Sequence, residues 1–149
     1  MTETIDFKLL NNITGEDGRY SRDRVADFLL EHLDQFGDKR EHILMALDYV
    51  FDERKGGFIL LAIEDLQIVG VAVINHTGMS GYIPENILVY IAVHKDMRGK
   101  GIGRTLMENA IKATKGSIAL HVEPDNPAVH LYRHLGFTNK YLEMRLHRN

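Results

Sequence analysis

The chain has no cysteine. That absence excludes disulfides, thiolate metal sites and any cysteine acyl-enzyme. Long apolar runs are missing too. The first 30 residues hold none of signal-peptide length. The longest aliphatic run, FILLAI, is far short of the roughly 20 residues that span a bilayer. A cytoplasmic protein without a membrane partner is therefore expected. A basic excess is also lacking. The net charge of −3 argues against non-specific nucleic-acid binding, which needs a basic face. No internal repeat, low-complexity tract or Pro/Ser linker interrupts the sequence. Residues 1–149 are expected to form a single domain, long enough to bury a sizeable core.

What is present is hydrophobic periodicity. Ile5, Phe7 and Leu9 alternate as in a strand. Val25, Phe28, Leu29 and Leu33 repeat at helical spacing after Ser21, a candidate N-cap. A second helix is expected after Asp38, with Glu41 as its capping-box partner and Gly56 and Gly57 at its end. FILLAI and IVGVAVI, joined by EDLQ, read as an antiparallel hairpin. NILVYIAV is a further strand. Ile102, Leu106 and Ala110 mark a helix that Gly116 stops, and SIALHVE is a short strand. In DNPAVHLYRHLGF, Asn126 reads as N-cap, Pro127 as first helical residue and Gly136 as the stop. Leu142, Met144 and Leu146 alternate as in a last strand. The order β-α-α-β-β-β-α-β-α-β predicts a mixed α/β domain with its strands clustered centrally.

Chemistry concentrates in HKDMRGKGIGRTLMENAIKA, residues 94–113. Three glycines alternate with Lys100 and Ile102 between a strand and a helix. Amides at a helix start lack intrahelical partners, and the helix dipole favours negative charge there. Glycine permits positive φ and close approach of backbone to oxygen. Residues Arg98, Gly99, Lys100, Gly101, Ile102, Gly103 and Arg104 can thus present N–H donors to a phosphate or pyrophosphate. Between His94 and Lys115 six lysines and arginines face two acids. Such an excess in an acidic chain suits an anionic ligand better than a polymer.

Three phosphate loops compete. A nucleotide-triphosphate P-loop needs a glycine five residues before Gly99-Lys100 and a Ser or Thr after it, and has neither here. A Rossmann site finds an acid in Glu123. It lacks the third glycine, however, where Arg104 stands, and only 26 residues follow Glu123. The third is a resemblance. IAVHKDMRGKGIGRTLM resembles the central acetyl-CoA motif of the GNAT N-acetyltransferase superfamily, with Arg98, Gly101 and Gly103 at its [R/Q]-x-x-G-x-[G/A] positions. DNPAVHLYRHLGF resembles the second signature of that superfamily, through Asn126, Val129, Tyr132, Gly136 and Phe137, with one residue of slack before Val129.

The resemblance implies a central, mostly antiparallel sheet with one splayed parallel strand pair, flanked by about four helices. It implies acetyl-CoA as co-substrate, its pantetheine arm on the backbone of Ile91, Ala92 and Val93 and its pyrophosphate on the amides of Arg98 to Arg104. Asn126 would face the cofactor near its arm. A backbone N–H near Ala92 or Val93 would stabilise the thioester oxygen as charge develops. Tyr132 stands where the family's general acid commonly lies. A base is less evident. Glu85 is the candidate, sharing strand parity with Ile87, Val89 and Ile91, and His76, His94 and His121 are alternatives. His130 and His134 are four apart on a helix, but no third ligand accompanies them and no metal is expected.

The function so implied is transfer of acetyl from acetyl-CoA to a primary amine, by direct attack in a ternary complex. A small-molecule acceptor is favoured over a protein amine, with Glu16, Asp17, Arg19, Tyr82 and Glu85 in segments that would line its site. A non-catalytic acyl-CoA-binding module is the competing reading. A monomer or homodimer is expected.

Overall fold

The computed structural model describes residues 4–148. The elements are β1 (Asp6–Leu10), α1 (Arg22–His32), a 3₁₀ turn (Asp34–Phe36), α2 (Arg40–Phe51), β2 (Gly57–Glu64) and β3 (Gln67–His76). Then follow β4 (Asn86–Val93), a second 3₁₀ turn (Lys95–Met97), α3 (Ile102–Ala113), β5 (Ile118–Leu120) and α4 (Ala128–His134). One sheet runs in the order β1-β2-β3-β4-β5. Its first three pairings are antiparallel and β4–β5 is parallel.

Both faces of this sheet are covered, which is why FILLAI and IVGVAVI read as continuous apolar runs. Alternate side chains of β2 serve two cores. Ile59, Leu61 and Ile63 meet Val25, Leu29, Ile43 and Leu47 of α1 and α2. Phe58, Leu60 and Ala62 meet Ile102, Leu106, Met107 and Ala110 of α3, with Tyr132 of α4. The β2–β3 hairpin turns through Asp65 and Leu66, both at positive φ, as a two-residue turn matching the strand twist requires.

The helix signals hold in part. Ser21 caps α1, its hydroxyl accepting from the Arg24 N–H at 3.3 Å. The expected cap on α2 is not formed. Lys39 stands at the N-cap without a side-chain bond, and the Asp38 carboxylate instead accepts from the Tyr90 hydroxyl at 2.7 Å.

One expected strand is corrected. Leu142, Met144 and Leu146 lie in a segment without regular structure, and all three are exposed. Alternation makes a strand only where a neighbour offers a ladder, and β5, at the sheet's edge, is three residues long. No helix among the described residues is long and apolar enough to cross a membrane.

Gly57 opens β2 at φ +125°, and a Cβ there would collide with the Ile74 carbonyl. Gly78 has φ +77° but nothing near its missing Cβ. Gly57→Ala is expected to lower stability by at least about 2 kcal/mol. Gly78→Ala should cost about half as much, from backbone strain alone. Urea unfolding of both variants checks the ranking, and equal losses would contradict it.

Candidate active site

The site starts from a defect in β4. Val73 pairs with Tyr90 and Ile74 with Leu88, so Val89 is one residue too many. Such a bulge shifts the phase of the strand. Before it, the Asn86 N–H points toward β5, donating to the Ser117 carbonyl at 3.1 Å. After it, the His94 N–H points toward β3, donating to the Val69 carbonyl at 2.9 Å. Backbone direction alternates along a strand, so Ala92 and Tyr90 face β3 and Ile91 and Val93 face the other way. The last β4–β5 pair is Leu88 with Leu120. Beyond it the two strands part, and the N–H groups of Ile91 and Val93 look into the gap. The bulge turns the Ile91 and Val93 N–H groups toward the gap and the Ala92 N–H into the sheet.

The gap is a cleft of about 470 Å³, a size suited to a small organic ligand. Its walls include Ile91, Ala92 and Val93 of β4, Gly99, Gly101, Ile102 and Gly103 of the glycine loop, Asn126 and Tyr132 around α4, and Leu33 and Phe36 after α1. All but the last pair were expected from sequence.

The glycine loop fits an extended anion. Gly99 and Gly101 stand at φ +81° and +84°, and nothing lies within 4 Å of where their Cβ atoms would be. Gly101 is the N-cap of α3 and offers no side chain to its first turn. The first helical bond is Thr105 N–H to the Gly101 carbonyl. The amides of Ile102, Gly103 and Arg104 are thus left for another acceptor. A Cβ on Gly103 would project between Val93 and Leu131 at the cleft wall. These are the groups that would hold the pyrophosphate of coenzyme A, and their conformation suits that role.

Tyr132 is 8% exposed and packs edge-on against Phe137, ring centroids 5.8 Å apart. Its hydroxyl makes no hydrogen bond to any described residue and belongs to the cleft wall. Burial pushes the phenol up to about 12, so it keeps its proton throughout the neutral range. α4 starts at Ala128 with Pro127 as its N-cap, one residue later than expected, and Asn126 Oδ1 accepts from the Ala128 N–H at 2.9 Å just ahead of it. Its amide NH₂ is left to the cleft.

Three expected site residues, Glu85, Lys100 and Arg104, are not on the cleft wall, whereas Arg98 is, with its guanidinium bonded within the protein. The Arg98 guanidinium does not line up with the loop amides. It donates to the Val93 carbonyl (3.2 Å), the His32 carbonyl (2.7 Å) and the Asp34 carboxylate (3.0 Å). The cations left at the loop's rim are Lys100 and Arg104, the latter 3.8 Å from Glu108. Glu85 lies at the closed end of the parallel pair. Its carboxylate accepts from the Ser117 N–H at 3.1 Å, and it is absent from the cleft wall. Six residues of strand separate it from Ile91, roughly 20 Å. The parity argument for it fails at the Val89 bulge. Of the alternatives, His94 packs on His32 at 4.2 Å between ring centroids, with its Nδ1 accepting from the Asp96 N–H. His76 and His121 are not on the cleft wall. No group of three metal-ligating side chains occurs among the described residues.

Sequence reasoning missed the Tyr90–Asp38 pair and the buried His32. The signal for the first was available: a lone hydroxyl inside NILVYIAV, one residue before the cleft backbone. Burial and the Asp38 carboxylate hold the Tyr90 phenol well above its ordinary range.

Comparisons with known proteins point one way. The family described as acetyltransferase (GNAT) domain matches residues 55–139, which carry the glycine loop and α4. No curated protein matches the chain by sequence. Among solved structures, a transcriptional regulator from Bacillus halodurans C-125 is similar with a TM-score of 0.70 at 18% identity, covering 96% of this chain and 100% of its own. The aminoglycoside N-acetyltransferase AAC(6')-Iy in complex with CoA gives 0.68 at 15% identity, covering 99% and 97%. A ribosomal-protein-alanine N-acetyltransferase from Brucella melitensis biovar Abortus 2308 gives 0.64 at 18%, covering 97% and 99%. At such identities the likeness shows a shared fold.

His32 is 4% exposed beside the loop, and burial, then the His94 charge, lowers its pKa. Its neutral form is favoured in the fold. That contribution is whole above about pH 6.5 and fades as pH falls through the lowered folded value. Thermal melts across pH 7 to 5 should show stability falling. His32→Gln should fall less over the same window; a parallel fall would remove His32 as a cause.

Proposed function

The chain belongs to the GNAT acetyltransferase family, and on that premise we propose that it transfers the acetyl group of acetyl-CoA to a primary amine. One observation carries the reading: the parted strands, the glycine loop and the hydroxyl of the largely buried Tyr132 open on the same cleft. Acetyl-CoA supplies the thioester to be attacked and a thiolate leaving group. The Ile91 and Val93 backbone would hold its arm as an added strand, and the amides of Gly99 to Arg104 its pyrophosphate.

The chain's own groups then have distinct tasks. The Val93 N–H is fixed by the bulge and stands ready to donate to oxygen as charge develops there. One such donor is typically worth about 10²–10³ in rate. The amine forms the new C–N bond as the C–S bond breaks, and the departing sulfur takes a proton or a hydrogen bond from Tyr132. The attacking nitrogen must itself be neutral, and a free alkylamine holds its proton to about pH 10.4. The base proposed for this task is Asp38, whose carboxylate accepts from the Tyr90 hydroxyl on β4; like Glu85, the alternative, it is not on the cleft wall and would act on the acceptor side of the strand. With no cysteine to carry an acyl group, transfer is direct, in a ternary complex.

The acceptor is proposed to be a small molecule. Asp38 suits a cationic amine, and one solved neighbour is named for aminoglycosides. A protein amine is the alternative, since another is named for a ribosomal-protein alanine. The neighbour named a transcriptional regulator keeps a non-catalytic acyl-CoA-binding reading in view.

Acetyl-CoA in a thermal-shift titration, beside NAD and ATP, is expected to raise Tm alone. At 100 times the dissociation constant the stabilisation is about 2.7 kcal/mol, or roughly 5–11 °C for a chain of this size. A rise with NAD or ATP instead would overturn the cofactor. Thiol release over an amine panel then tests catalysis. Tyr132→Phe should lower kcat about 10²-fold with acetyl-CoA affinity unchanged. Asp38→Asn should raise the amine KM. A chain that binds acetyl-CoA but releases thiol with no amine is a binding module.

A further inference from the structure

Arg98 reaches three elements at once. Its Nε donates to the Val93 carbonyl at the end of β4, its Nη2 to the His32 carbonyl at the end of α1, and its Nη1 to the Asp34 carboxylate in the following turn. A guanidinium presents its donors in a rigid fork, so three such partners fix its position closely. The same two segments are tied twice more. Lys95 Nζ lies 3.1 Å from the other oxygen of Asp34, and the Lys95 N–H donates to His32 Nδ1 at 3.2 Å. Beneath these bonds the His32 ring packs between Phe28 and His94, at 4.5 and 4.2 Å between centroids.

Little else holds the turn after α1. No residue of Asp34–Phe36 is buried, so apolar packing fixes it weakly. Asp34 also sits at φ +55°, a conformation that costs a non-glycine residue free energy and persists only where contacts enforce it. The enforcing contacts are its ion pairs to Lys95 and Arg98. Yet this turn supplies part of the cleft wall, through Leu33, Asp34 and Phe36, on the same cleft as Arg98, Gly99 and Gly101. It also leads directly to Asp38 on Tyr90.

We propose that Arg98 is a positioning residue rather than a phosphate ligand. It couples the glycine loop to residues 33–39, so that acetyl-CoA seated on the loop orders the part of the cleft wall that follows α1. The proposal rests on the cofactor reading above and adds a role for the segment between α1 and α2. Any ligand that immobilises residues 98–104 immobilises the Arg98 backbone, and the fork passes that restraint to Asp34 and His32. A coupling of this kind is typically 5- to 150-fold.

Amide hydrogen exchange reads it directly. Without ligand, Arg98→Lys and Asp34→Asn should each speed exchange in residues 33–39 about tenfold, with the β2 and β3 amides unchanged. Asp34→Gly, which relieves the φ strain while removing the carboxylate, should do the same. With acetyl-CoA, the wild type should slow exchange both in 99–104 and in 33–39. The variants should keep the first protection and lose the second. Unchanged exchange at 33–39 in the free variants would overturn the coupling whatever the cofactor does. So would variants that lose protection at 99–104 together with acetyl-CoA affinity, since Arg98 would then be a direct ligand. Wild-type protection in neither segment would instead overturn the cofactor reading, and the cofactor-driven ordering with it.

Discussion

One extra residue in β4 governs the site. A strand pair that parts halfway leaves backbone donors and acceptors without a ladder, and buried groups of that kind are costly unless something else bonds them. In β4 the parting follows Leu88 and the bulge falls at Val89. The bulge decides which residues bear the exposed groups. Without it, Tyr90 and Ala92 would face the gap, and Ile91 and Val93 would bond to β3. The same phase shift moves side chains. Leu88, Ile91 and Val93 serve the α3–α4 core, whereas Tyr90 and Ala92 serve the α1–α2 core. Tyr90 thereby reaches Asp38, and the aliphatic side chains of Ile91 and Val93 line the cleft. Backbone chemistry on one side of the strand and a phenol–carboxylate pair on the other follow from one insertion.

Charge is used sparingly around this geometry. The sequence suggests a cationic loop. In the fold, Lys95 and Arg98 share the single carboxylate of Asp34, Arg104 lies 3.8 Å from Glu108, and Lys100 reaches only the Met97 sulfur. The loop's attraction for an anion therefore combines the oriented amides at the start of α3 with the charge of Lys100 and the uncompensated part of the Lys95–Arg98–Asp34 cluster. The partial charges of the amides are fixed by the backbone and need no reorganisation when a ligand arrives. Lys95 and Arg98 also hold a strained turn against the loop.

The fold was legible where short-range rules decide it. Ser21 and Gly136 mark helix ends, and the glycine loop and the α4 signature lie where expected. What was hidden depends on partners distant in sequence. A bulge inside NILVYIAV leaves no trace, because a strand covered on both faces shows no alternation for the extra residue to break. Strand parity carried from Glu85 past Val89 therefore fails, because the bulge shifts the face on which every later side chain lies. Asp38 has the side chain of a helix cap, but Tyr90, 52 residues away, competes for it and wins. Arg98 matches a motif, and the motif does not say where its side chain goes. The alternation in residues 142–146 was read correctly as a pattern, but a pattern becomes a strand only beside a partner.

Tyr132 raises a last question of energetics. With the phenol near 12 and a free thiol near 8.5, proton transfer to sulfur looks more uphill than the gap between the free groups suggests. The comparison mixes two environments, however. Burial raises the phenol because it penalises the anion, and a thiolate leaving into the same cleft suffers the same penalty. Both acids shift upward together, and their difference stays closer to the original gap of about 1.5 units. No lysine or arginine among the described residues bonds the Tyr132 hydroxyl, and Arg98 on the cleft wall is already bonded to Val93, His32 and Asp34, so no free cation is aimed at a departing thiolate. The dry setting that makes Tyr132 a poor acid in isolation thus makes the sulfur a better base. The same burial keeps the proton on the phenol until the C–S bond begins to break.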